Sequence, residues 1–246
     1  MKKELKKRIL TSIVLILLIS LGLYLGPLVT MIVLFIVSYI AYSEFSYLID
    51  KIYSYSQINH LLRHGVILFY CLIIFWITTF ILITNIYDFI FVLSICIFTD
   101  VGGYIVGKTI KGPKLTKISP NKTISGSIGS VLFSFIPLII LNYFLPDNYS
   151  LSKSNIFFCF EITIICQLGD LFVSFFKRKA KVKDTGKILP GHGGLLDRID
   201  GIIFALPYAR YRLYELEHPI SFNTIKYILL TYKGLYSLIK IYEKLL

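Results

Sequence analysis

Between Arg8 and Glu44 the chain carries no charged residue. One helix over that stretch, rising about 1.5 Å per residue, would be roughly 50 Å long, well beyond a bilayer hydrocarbon core of about 30 Å. Two membrane passes are needed, with the break at Gly26-Pro27. A cleavable signal peptide is the competing reading of MKKELKKR and the apolar run behind it, but the run is too long and lacks an A-x-A-like cleavage site.

The rest of the chain has the same character: 56% of its 246 residues are apolar and only 16% are charged. Further apolar segments lie at about 65–83, 86–107, 125–145, 155–176 and 195–214. The expected fold is an all-α polytopic integral membrane protein with about seven crossings, within a range of six to nine. The four cysteines, Cys71, Cys96, Cys159 and Cys166, all fall in apolar segments without CxxC spacing, so they read as small buried hydrophobes rather than as a disulfide or zinc site.

A net charge of +12 would suit nucleic-acid binding in a soluble domain, but here the cations concentrate in loops between apolar segments, as the positive-inside rule expects. With Lys2, Lys3, Lys6, Lys7 and Arg8 in the cytosol, counting segments places the loop of Lys108, Lys111, Lys114, Lys117 and Lys122 on the cytosolic side. The Lys177 to Lys187 loop falls there too, and the turns at Gly26, Asn85 and Asp147 fall outside. No nucleic-acid partner is expected, and the bilayer is the first partner. Near the C-terminus Lys226, Lys233 and Lys240 recur every seven residues, so the segment of about 221–246 reads as a basic amphipathic helix lying in the membrane interface.

Chemistry concentrates between Asp170 and Asp200. Four of the eight aspartates stand there, Asp170, Asp184, Asp197 and Asp200, flanked by Lys177, Arg178, Lys183 and Arg198. Ionisable groups in a membrane setting are costly to bury, so the cluster marks a functional site. On one helix over 155–178, Asp170, Ser174 and Lys177 follow at i, i+4 and i+7 and share a face, projecting a carboxylate, a hydroxyl and an ammonium into one space. An ion pair with a neighbouring helix is the bland reading of Asp170 taken alone.

Gly191-His192-Gly193-Gly194 allows close backbone approach to an anionic ligand. Behind it, Asp197 and Asp200 stand at i and i+3 on a helix beginning, where their oxygens can hold a hard cation such as Mg²⁺, and Arg198 can meet a phosphate with two hydrogen bonds. His192 has no His or Cys partner at metal-ligand spacing, so zinc is not expected and its plain role is that of a loop hydrogen-bonder.

The run Ser174-x-x-Lys177-Arg178-x4-Lys183-Asp184-x-Gly186-x2-Leu189-Pro190-x-His192-Gly193-Gly194-x-x-Asp197-Arg198-Ile199-Asp200 resembles the whole signature of the phosphatidate cytidylyltransferases, also called CDP-diacylglycerol synthases. Upstream, Gln167-Leu168-Gly169-Asp170-Leu171 matches the segment leading into that signature. Asp100-Val101-Gly102-Gly103-Tyr104 resembles the family's Asp-Thr-Gly-Ala-Tyr motif, and Ser119-Pro120-Asn121-Lys122-Thr123 its Ser-Pro-Lys-Lys-Thr segment. The resemblance covers about 98–205, the expected catalytic core of a single membrane-embedded domain over 1–246, with N-terminal helices over about 9–83. Where the family usually continues Thr-Trp-Glu-Gly, this chain has Thr123-Ile124-Ser125-Gly126.

The resemblance implies transfer of a cytidylyl group from CTP to phosphatidate, giving CDP-diacylglycerol and pyrophosphate, for phospholipid synthesis in the bacterial inner membrane by a homodimer whose site faces the cytosol. It implies Mg²⁺ on Asp170 and Asp197, with Asp200 and Asp184 next, through a second metal ion, monovalent or divalent, or by orienting Lys183 and Arg198. Lys177, Arg178, Lys183 and Arg198 are then the phosphate-binding cations and Ser174 a donor. Asp100, Ser119, Lys122, Thr123, His192, Gly193 and Gly194 complete the substrate cavity. A CDP-alcohol phosphotransferase is a rival enzyme class, but its Asp-Gly-x2-Ala-Arg pattern is absent, because apolar residues follow Asp200-Gly201. A cation-coupled transporter is the non-enzymatic alternative, and it fits less well with carboxylates gathered at a cytosolic helix end.

Overall fold

The computed structural model describes residue 14 and residues 17–53, 57–116, 118–189 and 193–217. The described residues form helices and no strand, with two isolated bridges, Lys114 with Thr123 and Leu189 with Gly193. A helical stretch over 17–25 ends at Gly26, whose φ of 102° reverses the chain before Pro27 opens the next helix. The break expected from the uncharged run is therefore where the sequence put it.

The helices that follow are α1 (Pro27–Ile52), α2 (Gln57–Thr84), α3 (Ile86–Thr109), α4 (Ile124–Ser134), α5 (Ile136–Phe144), α6 (Lys153–Lys179), α7 (Leu196–Ile199) and α8 (Ile202–Glu217). Five stretches are long and apolar enough to cross a membrane: Pro27–Ile52, Leu61–Thr79, Ile86–Thr109, Ile124–Phe144 and Lys153–Lys179. The chain is a polytopic helical membrane protein. The expected 195–214 segment is divided at Asp200-Gly201 into α7 and the 16-residue α8. The chain falls into two units, Met1–Arg210 and Tyr211–Leu246, and of the second only the end of α8 is described. The amphipathic segment at 221–246 lies outside the described residues, as do Lys117, Gly191 and His192.

Helices α3 and α4 pack through small residues, which let backbones approach where lipid offers no hydrophobic drive. A Cβ on Gly102 would stand 2.6 Å from the Gly129 carbonyl oxygen, and one on Gly126 would stand 2.9 Å from that of Gly103. Ser130 Oγ donates to the Thr99 carbonyl at 2.8 Å, and the Thr99 and Thr163 hydroxyls meet at 3.3 Å, joining α6 to the same seam. Gly102→Ala should therefore destabilise the protein by about 1–3 kcal/mol, because backbone rather than a flexible side chain must give way. Thermal unfolding in detergent measures this, and an unchanged midpoint would contradict the packing described.

An aromatic seam holds α1 and α8 on α6. Phe45 stands 5.2 Å from Phe176, and Phe172 stands 5.2 Å from Phe204. Gly169 and Gly201 allow the corner before α8 to press onto α6, since a Cβ on Gly169 would lie 2.7 Å from the Asp200 carbonyl oxygen. These contacts bring the polar stretch after α6 back over the ends of α1 and α6.

Candidate active site

Helix α6 presents Asp170, Ser174 and Lys177 on one face, as their spacing requires. Ser174 Oγ donates to Asp170 Oδ1 at 3.3 Å, and Lys122, from the loop between α3 and α4, pairs with the other oxygen of Asp170. That loop is shaped by two of the expected residues. Ser119 accepts from the Lys122 amide at 3.1 Å, and Thr123 caps α4 by accepting from the Gly126 amide at 3.1 Å. Ser119 and Thr123 thus fold the turn that delivers Lys122. Ser125, at the departure from the family pattern, donates to the Lys111 carbonyl.

Asp197 is the second centre. Its Oδ1 accepts from Lys177 Nζ at 2.7 Å, and its Oδ2 accepts from the Thr185 amide at 2.8 Å and the Gly194 amide at 3.0 Å, with the Thr185 hydroxyl oxygen 3.1 Å away. The ion pair is largely buried, with side-chain exposures of 11% for Lys177 and 8% for Asp197. A carboxylate offers about four acceptor positions, and here both of Oδ2 and one of Oδ1 are filled. Asp184 adjoins it across Gly193, whose φ is 87° and whose added Cβ would meet Asp184 Cβ at 2.7 Å and Asp197 Oδ2 at 2.9 Å.

Sequence reasoning passed over Glu44 and Thr185. Glu44, on α1, is 5% exposed, and its carboxylate accepts from the Thr185 hydroxyl at 2.8 Å, the Leu195 amide at 3.0 Å and the Leu196 amide at 2.9 Å. It therefore holds the signature loop and the first turn of α7, whose leading amides have no partner within the helix. Gly194 is threaded between Thr185 and Glu44 with no room for a side chain. The available signal was that Glu44 is the first charge after the apolar run, in a helix otherwise uncharged up to Asp50.

Asp100 on α3 lies within electrostatic reach of Asp170, Lys122 and Arg198. Asp200, between α7 and α8 and outside the five spans, is 7% exposed and accepts from the Gly201 amide at 2.9 Å. Burial pushes its carboxyl well above the usual range; Asp170 and then Asp100 add to this, while Lys177 and the Gly201 amide oppose it. Asp197 thus binds Lys177 directly, and Asp200 feels the same charge. Among the described residues no three His, Cys, Asp or Glu side chains gather closely enough to hold one metal ion. Arg178, Lys183, Asp184 and Arg198 are exposed at the rim.

Residues 45–215 match the profile of the Cytidylyltransferase family. A phosphatidate cytidylyltransferase of Staphylococcus haemolyticus is 46% identical over 123 residues, covering 48% of this chain and 45% of that protein. One of Rickettsia bellii is 44% identical over 114 residues, covering 44% of this chain and 49% of that protein. The chain spans about half the length of the curated relatives it matches. Helical spans, with paired carboxylates and cations at the end of α6, define a polytopic membrane protein with a charged site at one helix end. This chain belongs to the cytidylyltransferase family.

Proposed function

We propose that this protein transfers the cytidylyl group of CTP to phosphatidate, forming CDP-diacylglycerol and pyrophosphate. The observation that carries the reading is the meeting of Asp170 with Lys122 and of Asp197 with Lys177 at the loop-bearing end of α6, in a chain of this family. The acceptor is a phosphate monoester whose second pKa near 6 leaves it largely dianionic at neutral pH, so no strong general base is required. The obstacle is repulsion between two anions, and positioned cations are the main means of overcoming it in phosphoryl transfer.

Lys122 and Lys177 are pre-placed for that work, each held by a carboxylate it can share with an arriving phosphate. Arg178, Lys183 and Arg198 supply further donors at the rim, and the Gly193-Gly194 backbone offers close approach. Burial of the Lys177–Asp197 pair keeps water away and strengthens its field.

The donor set suits Mg²⁺, which commonly takes one or two carboxylates and completes its shell with water and substrate phosphates rather than with a protein cage. Asp170 and Asp200 have acceptor positions to spare, and Asp197 keeps one on Oδ1. When bound, the ion would neutralise charge on the reacting phosphates. In protein stripped with chelator, added Mg²⁺ should raise the unfolding midpoint by several degrees, because a ligand at 100 times its dissociation constant stabilises by about 2.7 kcal/mol. Asp170→Asn should abolish most of that rise, and an undiminished rise would remove Asp170 from the ion.

The inner membrane, a cytosolic N-terminus and site, and a homodimer belong to the same proposal, supported by the basic loops gathered at the site and by the resemblance. Light scattering of the detergent-solubilised protein reads the oligomer. The reaction is separated from its nearest rival by product: pyrophosphate released from CTP and phosphatidate supports it, and CMP released from a CDP-lipid and an alcohol overturns it.

A further inference from the structure

A cavity of about 590 Å³ opens between the second half of α1 and residues 182–188, beside the carboxylates described above. Its size falls within the range of roughly 300–1,000 Å³ typical of small-molecule sites. Tyr47, Lys51, Lys183 and Lys187 line it, and Glu44 and Thr185 form its inner wall. We propose that this cavity seats the nucleotide, with Lys51, Lys183 and Lys187 on its phosphates and the Tyr47 ring against its base. The inference rests on the cytidylyl-transfer reading and adds to it which of the two phosphate-bearing substrates occupies this side of the site.

Charge is the first argument. Lys122 and Lys177 are tied to Asp170 and Asp197, whereas Lys183 and Lys187 are exposed, with no carboxylate partner among the described residues. The wall carboxylate of Glu44 is satisfied by three donors, so it presents little free negative charge to a ligand. Asp184 also lines the cavity, on the side that continues through Gly193 to Asp197. Three cations converging on one space suit a polyphosphate better than a single lipid phosphate.

Shape is the second. Tyr47 is 49% exposed and Lys51 Nζ lies over one face of its ring, 4.9 Å from the centroid, so the opposite face is the one offered to a base. Aromatic faces stack planar bases. Position is the third, since the Thr185 hydroxyl touches both Glu44 on the cavity wall and Asp197 in the site. One residue therefore separates the cavity from the Lys177–Asp197 pair, within reach of a triphosphate whose base lies on Tyr47.

The test uses the full-length protein in mixed micelles, with initial rates measured against CTP and, separately, against phosphatidate. Lys187→Ala and Tyr47→Leu should each raise KM for CTP about tenfold while KM for phosphatidate stays within about twofold, the pattern of a lost binding contact to one substrate. Tyr47→Phe should stay near wild type. A rise in KM for phosphatidate instead, or no change in either, overturns the proposal. If the wild-type protein makes no product, the cytidylyl-transfer reading fails by itself, and equilibrium dialysis with CTP then decides this inference. Retention of CTP by the wild type and its loss in Lys187→Ala would sustain the nucleotide site, and equal retention would sink it.

Discussion

Asp197→Asn is expected to lower CTP-dependent turnover by about a thousandfold, with the protein still inserted and folded. The carboxylate binds an ammonium on one oxygen and two backbone amides on the other. An asparagine supplies only one acceptor oxygen, so its amide NH₂ must face either Lys177 or the Thr185 and Gly194 donors. Lys177 then loses its anchor. Removing one preorganised polar group from such a site costs about 10²–10³ in rate, and a broken buried ion pair adds to that. Turnover across a Mg²⁺ titration gives the readout. Reduced turnover with unchanged Mg²⁺ dependence makes Asp197 the organiser of Lys177, a shifted dependence returns it to the ion, and wild-type turnover removes it from the site.

Glu44→Ala should have the largest effect on stability. It strands the Leu195 and Leu196 amides in a buried setting, where each unsatisfied group costs about 1–3 kcal/mol, while the Thr185 hydroxyl can turn to Asp197. The expected loss is about 2–4 kcal/mol, discounted from the full sum because neighbouring groups relax. Glu44→Gln keeps the shape and one acceptor oxygen, so about 1–2 kcal/mol is expected there. Chemical unfolding in detergent micelles measures both. Two variants as stable as the wild type would show that α1 does not hold the signature loop.

What the sequence made legible was local. Helical periodicity ties spacing to face, so Asp170, Ser174 and Lys177 could be placed together without a structure, and charge-free length required the turn at Gly26-Pro27. What it could not supply were partners brought together by folding. Lys122 meets Asp170 across two helices, and Glu44 meets Leu195 from 151 positions away. Spacing put Asp197 and Asp200 close together on one helix start, but it could not show that Asp197 holds Lys177, Thr185 and Gly194, a matter of tertiary hydrogen bonding. At 195–214 hydropathy leaves only nine uncharged residues between Asp200 and Arg210, and the close approach of Gly169 to the Asp200 corner is invisible to it.

Transfer of a cytidylyl group to lipid can be followed with a single label. Purified protein is incubated with CTP radiolabelled at the α-phosphorus, phosphatidate and Mg²⁺, and the label is followed into the chloroform phase. Chloroform-soluble label should require phosphatidate, appear in step with pyrophosphate, and be lost in Asp197→Asn. Label that stays in the aqueous phase with active, folded protein, or ion flux into proteoliposomes without nucleotide and without lipid labelling, would contradict that transfer.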